Sequence, residues 1–181
     1  DIKVEGSDVT IKVGDIFQQK GLKAIAFNEY FDTQVDNKII ANDINNQTIE
    51  LYKYMQNKTT FEIINEIDSL IQKYNLSQSS LYGYNKYNTD SSIGLASYNK
   101  KAYLKLREDY NNNPTPIKFY TLIIFAFNNQ IRFNKEGKFN LPVNKRDFTA
   151  NMRRNLELFI NRIKNIDIEF PGSDSSGTMH K

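Results

Sequence analysis

The sequence predicts an α/β chain of the α+β kind, in which a small sheet precedes a mainly helical region that carries a β-hairpin. Three observations predict it. Residues 9–13 alternate as Val-Thr-Ile-Lys-Val before Gly14-Asp15, the two-residue period of a half-buried strand that ends in a turn. From Thr48 onward the apolar residues recur at three and four positions instead, the period of an amphipathic helix. Between Gln130 and Asn140, Lys135-Glu136-Gly137-Lys138 separates Ile131-Arg132-Phe133 from Phe139, with a glycine where a hairpin loop needs one.

Taken in order, residues 23–27 and 38–41 are short β-branched or apolar runs that add strands to the sheet. Ile49, Tyr52 and Met55 share one helical face, and Phe61, Ile64, Ile67, Leu70 and Ile71 share another. Asn57-Lys58 separates the two helices, and Thr59-Thr60 followed by Glu62 is the signature of a capped N-terminus. Residues 75–99 are rich in Ser, Asn and Gly but also hold Tyr82, Tyr84, Tyr87 and Tyr98, so they read as a loop whose rings give it apolar area with which to dock. A charged helix over 100–110, an apolar one over 117–127 after Pro114 and Pro116, and an amphipathic one through Met152, Leu156, Phe159, Ile160 and Ile163 follow. Residues 166–170 predict a last strand. The expected organisation is a sheet-forming segment at 1–47, a helical domain at 48–165 with its hairpin at 130–142, and a final strand with a polar tail at 166–181.

Composition narrows the chemistry. The 181 residues include no cysteine and one histidine, His180, which excludes disulfides, thiol nucleophiles, cysteine-ligated metals and a histidine cage. The longest apolar run, Leu122 to Phe127, falls well short of the ~20 residues that span a membrane. With no basic-then-apolar leader pattern at its start, the chain is expected to be soluble and cytoplasmic. Its net charge of +3 is unevenly spread, with 12 acids and 7 bases in residues 1–70 against 10 bases and 3 acids in residues 99–146. A local excess of +7 is the footprint of a phosphate-binding surface, although a solvated face has the same composition.

The same basic stretch holds Phe127, Asn128, Gln130, Arg132 and Asn134, then Pro142, Lys145 and Arg146. Arginine can donate two hydrogen bonds to guanine O6 and N7, and Asn or Gln can pair with adenine N6 and N7. An exposed phenylalanine can wedge into a base step or stack on a displaced base. The plain alternative is a solvated hairpin in which Arg132 pairs with Glu136 across the loop.

Several further pieces stand in a fixed order: Ile40-Ala41-Asn42-Asp43-Ile44-Asn45, Ile49-Glu50-Leu51-Tyr52-Lys53, Lys73-Tyr74-Asn75-Leu76-Ser77, Tyr98-Asn99-Lys100, and the run from Leu104 to Asn111. With the hairpin, they make residues 38–170 resemble the central and target-recognition region of Dam-type DNA adenine-N6 methyltransferases. The resemblance implies double-stranded DNA as partner, with the target adenine flipped out of the stack. It further implies that Arg132 reads guanine and that Asn128, Gln130 and Asn134 contact bases or phosphates. Phe127 would fill the gap near the flipped base, and Pro142 and Arg146 would position the hairpin in the groove; the hairpin reading itself puts Lys145 and Arg146 on phosphates. Asp43 would grip the ribose of S-adenosylmethionine; read locally, Asp43 is equally well the N-cap of the following helix.

The departures matter as much. That family's glycine-rich cofactor loop before the Asn-Asp-Ile strand and its Asp-Pro-Pro-Tyr catalytic motif are both missing, for no glycine lies between Leu22 and Asn42 and no two prolines are adjacent. Instead, Ile11-Lys12-Val13-Gly14-Asp15-Ile16-Phe17 and Asn28-Glu29-Tyr30-Phe31-Asp32-Thr33 make residues 9–40 similar to the macro-like domain of Thoeris anti-phage defence proteins. That resemblance implies an ADP-ribose-like ligand near Gly14-Asp15-Ile16 and Asn28-Glu29. The expectation is a DNA-binding protein derived from the recognition half of a methyltransferase, without catalytic residues. Two alternatives stand beside it: a phage or mobile-element anti-defence, anti-CRISPR-type inhibitor that grips a bacterial defence nuclease or its DNA channel, and a methyltransferase completed by residues outside this chain.

Overall fold

The computed structural model describes residues 46–165 and the backbone of four three-residue strands, β1 (Ile2–Val4), β2 (Ser7–Val9), β3 (Lys38–Ile40) and β4 (Asp167–Glu169). Asp43 and the segments around Gly14 and Asn28 lie outside the described residues.

Helix α1 (Asn46–Gln56) turns Thr48, Leu51, Tyr52 and Met55 inward at helical spacing. Helix α2 (Thr60–Tyr74) begins with the expected cap: the Thr59 hydroxyl accepts from the Glu62 N–H at 3.2 Å while the Glu62 carboxylate accepts from the Thr59 N–H at 2.8 Å. It stops at Asn75, whose φ of 59° is the left-handed conformation that ends helices. Its inward stripe is Ile63, Ile67 and Ile71. One turn, α3 (Ser79–Tyr82), and a 3-10 turn at Asn85–Tyr87 lead to α4 (Ala96–Asn112). Helix α5 (Pro116–Phe125) starts under the Thr115 cap with proline in its first turn, where the missing N–H costs nothing. Phe119, Leu122, Ile124 and Phe125 of α5 are at most 1% exposed, and α1, α2 and α4 all pack on it. It is the axle of the body. Helix α6 (Ala150–Lys164) closes the core by laying Leu156, Ile160 and Ile163 on the α1/α2 side.

The α/β expectation is overturned. Residues 46–165 are helices and irregular loops, and the four strands pair only two by two, β1 antiparallel to β2 and β3 parallel to β4. The hairpin expected at 130–142 is not a β-hairpin either, because its two limbs meet in one isolated bridge, Phe133 with Phe139. The outer edge of the second limb is held by α4. The Phe139 N–H donates to Asn111 Oδ1 at 2.9 Å, the Phe139 carbonyl accepts from Asn111 Nδ2 at 3.1 Å, and the Leu141 carbonyl accepts from Tyr103 and Arg107. Those groups face α4, away from the first limb. Between the limbs the Asn134 N–H donates to the Lys138 carbonyl and the Asn140 N–H to the Arg132 carbonyl. Pairing stops there because the Lys138 N–H goes to Asn134 Oδ1, the Gln130 N–H goes to the Phe127 carbonyl, and Pro142 has no N–H. Phe127 likewise lies beyond the helix that was expected to run to it, since α5 ends at Phe125 and Phe127–Asn129 is a separate turn.

Candidate nucleic-acid interface

At the end of α5 the chain doubles back through residues 126–146 and is fastened on both sides. Ala126 bridges Val143, the Phe127 N–H donates to the Pro142 carbonyl at 2.9 Å, and the Asn144 N–H donates to the Phe125 carbonyl at 2.7 Å. Asn128 and Asn129 have φ of 53° and 52°, a conformation asparagine tolerates better than other residues with a Cβ. Asn129 uses that turn to donate its amide to the Ile123 and Ile124 carbonyls at the helix end, the first of which also accepts from the Ala126 N–H. From α4, Tyr103, Arg107 and Asn111 hold the returning limb, while Phe133 and Phe139 sink into an aromatic cluster with Phe119. The result is a loop with a fixed base and an exposed outer surface.

The structure brings the expected residues onto this one segment. Phe127 and Ile131 are exposed, and so are Asn128, Gln130, Arg132, Asn134, Pro142, Lys145 and Arg146. Arg132 does not pair with Glu136. Its Nε donates to Asn140 Oδ1 at 2.8 Å and its Nη2 to the Asn140 carbonyl at 3.1 Å, which orients the guanidinium and leaves three of its five N–H groups for an outside acceptor. Glu136 is instead neutralised by Lys138 at 3.3 Å. Asn134 is partly committed to the fold, because its Oδ1 accepts from the Glu136 and Lys138 N–H groups and shapes the loop tip. Lys145 donates its N–H to Asn144, and its carbonyl accepts from Leu95 at 2.8 Å, so the backbone here is fixed while the side chain is outside.

Among the described ion pairs, Lys118 is taken by Asp109 at 3.1 Å, whereas Lys135, Lys145 and Arg146 enter none. The acids of the basic stretch are therefore largely spent. The Tyr74 hydroxyl and the Lys118 ammonium hold the Asp109 carboxyl below its usual range, and burial together with that same bond pushes Tyr74 up to about 12. Directly after Arg146, the Asp147 carboxylate is fully buried and accepts from the Ser77 hydroxyl at 3.0 Å and from the Ser79 N–H and hydroxyl at 2.6 and 2.8 Å. Asn99 completes that network by accepting from the Ser77 N–H and donating to its hydroxyl. Among the described residues no group of His, Asp and Glu could hold a metal ion, and no helix is long and apolar enough to cross a membrane.

Sequence reasoning missed Asn140, Asn111, Tyr103 and Asp147. Of these, Asn111 lies in the run from Leu104 noted above, as does Arg107; Asp147 directly follows two of the candidates, and its burial had no signal in composition.

Similarity to known proteins agrees with both resemblances. The chain is 31% identical over 135 residues to the modification methylase StsI of Streptococcus sanguinis, a match covering 74% of this chain and 18% of the methylase. It is 30% identical over 140 residues to the type II methyltransferase M.FokI of Planomicrobium okeanokoites, covering 76% of this chain and 19% of that protein. It is also 35% identical over 122 residues to the Thoeris protein ThsA of Bacillus amyloliquefaciens, covering 59% of this chain and 41% of ThsA. The chain thus spans about a fifth of the methylases' length and under half of ThsA's. The family described as Thoeris protein ThsA, Macro domain, matches residues 9–113 and so runs through α1, α2 and α4, well past the first 40 residues that carried that resemblance. A match over more than half of its length makes this chain a member of the ThsA macro-domain family, and its shared region makes it methyltransferase-related as well.

Proposed function

We propose that this chain binds double-stranded DNA through residues 127–146, with Arg132 reading a base edge and Lys145 and Arg146 holding phosphates. The observation that carries the reading is Arg132. An exposed guanidinium oriented by Asn140, with N–H groups still unspent, is prepared to donate two parallel hydrogen bonds to a guanine without the entropy of ordering a free side chain. The unpaired cations beside it supply the sequence-independent part of the affinity, and the likeness to StsI and M.FokI supports DNA as the partner. Methyl transfer is not assigned to these residues, because neither a glycine-rich cofactor loop nor an Asp-Pro-Pro-Tyr motif stands among the 181.

The test compares two variants on two duplexes at one salt concentration, after a preferred sequence has been selected from a random pool. Arg132→Ala should cost about 1–3 kcal/mol on the preferred duplex and little on random DNA, whereas Arg146→Ala should weaken both alike. Equal losses for Arg132→Ala on the two duplexes contradict base reading.

A further inference from the structure

The loop between α2 and α4 is fastened to the recognition segment at two points. At its start, the Ala150 N–H donates to the Ser80 hydroxyl at 3.1 Å, and Asp147 takes the Ser79 N–H and hydroxyl. At its end, the Leu95 N–H donates to the Lys145 carbonyl, and Gly94, at φ 80°, lies so close that a Cβ there would stand 2.6 Å from Lys145 Cβ and 2.7 Å from its carbonyl oxygen. No residue but glycine fits that approach. The loop is therefore pinned on both sides of the exposed pair Lys145-Arg146.

One residue from each pin stands a large apolar side chain in water. Leu81 follows Ser80 and is 67% exposed; Ile93 precedes Gly94 and is 68% exposed. Tyr82 is half exposed, and the Lys86 ammonium lies 3.5 Å from the centre of its ring. The one acid of this loop, Asp90, is turned to its own backbone, its Oδ1 accepting from the Ser92 N–H, the Ser92 hydroxyl and the Ile93 N–H, bonds that keep the carboxylate charged and so balance Lys86 within the loop. Exposed aliphatic and aromatic groups beside Lys86, on a loop pinned against the exposed Lys145-Arg146 pair, suit a polymer that alternates apolar sugar faces with phosphates. A protein partner has less to recommend it, because the loop is pinned beside the Lys145-Arg146 pair assigned to phosphates above.

We infer that the 79–95 loop is a second DNA-contact surface, which grips the phosphodiester chain flanking the site read by Arg132: Lys86 neutralises a phosphate, and Leu81, Tyr82 and Ile93 pack on the adjoining sugars. The inference rests on the duplex-binding reading above. Binding of a fixed duplex is measured across salt for the parent chain, Lys86→Ala, Ile93→Ser and Arg146→Ala. All three positions are exposed, so the variants fold, as a circular dichroism spectrum checks. Lys86→Ala should flatten the slope of log affinity against log salt by about 0.9, the loss of one neutralised phosphate. Ile93→Ser should weaken binding roughly threefold to tenfold at every salt concentration without changing that slope, as loss of apolar contact does. If Lys86→Ala and Ile93→Ser bind like the parent while Arg146→Ala is weakened, DNA binding stands and the second surface is overturned, in favour of a protein on this loop. A parent chain that binds no duplex overturns both.

Discussion

Asp147 follows two exposed cations, yet its own side chain is wholly inside. A buried carboxylate is expensive unless its lone pairs are satisfied, and here three donors from Ser77 and Ser79 satisfy them. The residue thereby ties the end of the recognition segment to the start of the 79–95 loop. Asp147→Ala would leave those donors facing a void, and loss of even one buried partner costs about 1–3 kcal/mol. We expect a fall in denaturant midpoint of at least that size, with Asp147→Asn milder because one acceptor oxygen survives. An Asp147→Ala midpoint equal to the parent's would mean that the network does not hold the loop. Nothing in the sequence announces this burial, since an Asp after Lys-Arg reads as one more solvated charge.

Helix α4 shows where the sequence was legible and where it was not. Its position, the capped start of α2 and the apolar stripe of α6 all followed from spacing and capping residues, because local period and hydrogen-bonding chemistry decide those features. The hairpin did not follow, because its ladder stops at local choices on both sides of Phe133 and Phe139: the Lys138 N–H goes to the Asn134 side chain, the Gln130 N–H turns to Phe127, and Pro142 has no N–H to donate. Of the short apolar runs, 38–41 and 166–170 do supply strands, which pair with each other alone, while 9–13 and 23–27 fall almost wholly outside the described residues. Such runs mark extended backbone, but pairing into a layered sheet is a long-range event. The exposure of the candidate residues was legible, since Arg, Asn and Lys in a glycine-containing loop stay at the surface whatever the loop's secondary structure. Asn111→Ala would strip both backbone groups of buried Phe139 of their partners. It should cost about 1–3 kcal/mol in stability and weaken duplex binding although no charge is removed. Titration of the variant against the selected duplex checks this; unchanged affinity with lowered stability would show that the loop keeps its shape without α4.

Across the whole molecule, the acid and base limbs of stability meet at Tyr74 and Asp109. Tyr74 is raised from about 10 to about 12 in the folded chain, so its contribution is complete below pH 10 and is lost as pH climbs toward 12. Asp109 is lowered, so its contribution is present above the ordinary carboxylate range near 4 and disappears as pH falls below it. Denaturant midpoints followed from acid to alkaline pH should show both limbs in the parent and shallower ones in Asp109→Asn; identical profiles would remove this cluster from the account.

The charge distribution sets the most direct test of the central claim. Residues 99–146 carry 10 bases against 3 acids, and Asp109 and Glu136 among those acids are already paired, so a duplex on this surface must displace several counterions. The measurement is the affinity for one duplex between about 50 and 200 mM salt, where each neutralised phosphate contributes about −0.9 to the slope of log affinity against log salt. With Lys145, Arg146 and at least one further cation on phosphates, the slope should be steeper than about −2. A flat response, or no duplex binding at the lowest salt, would contradict it.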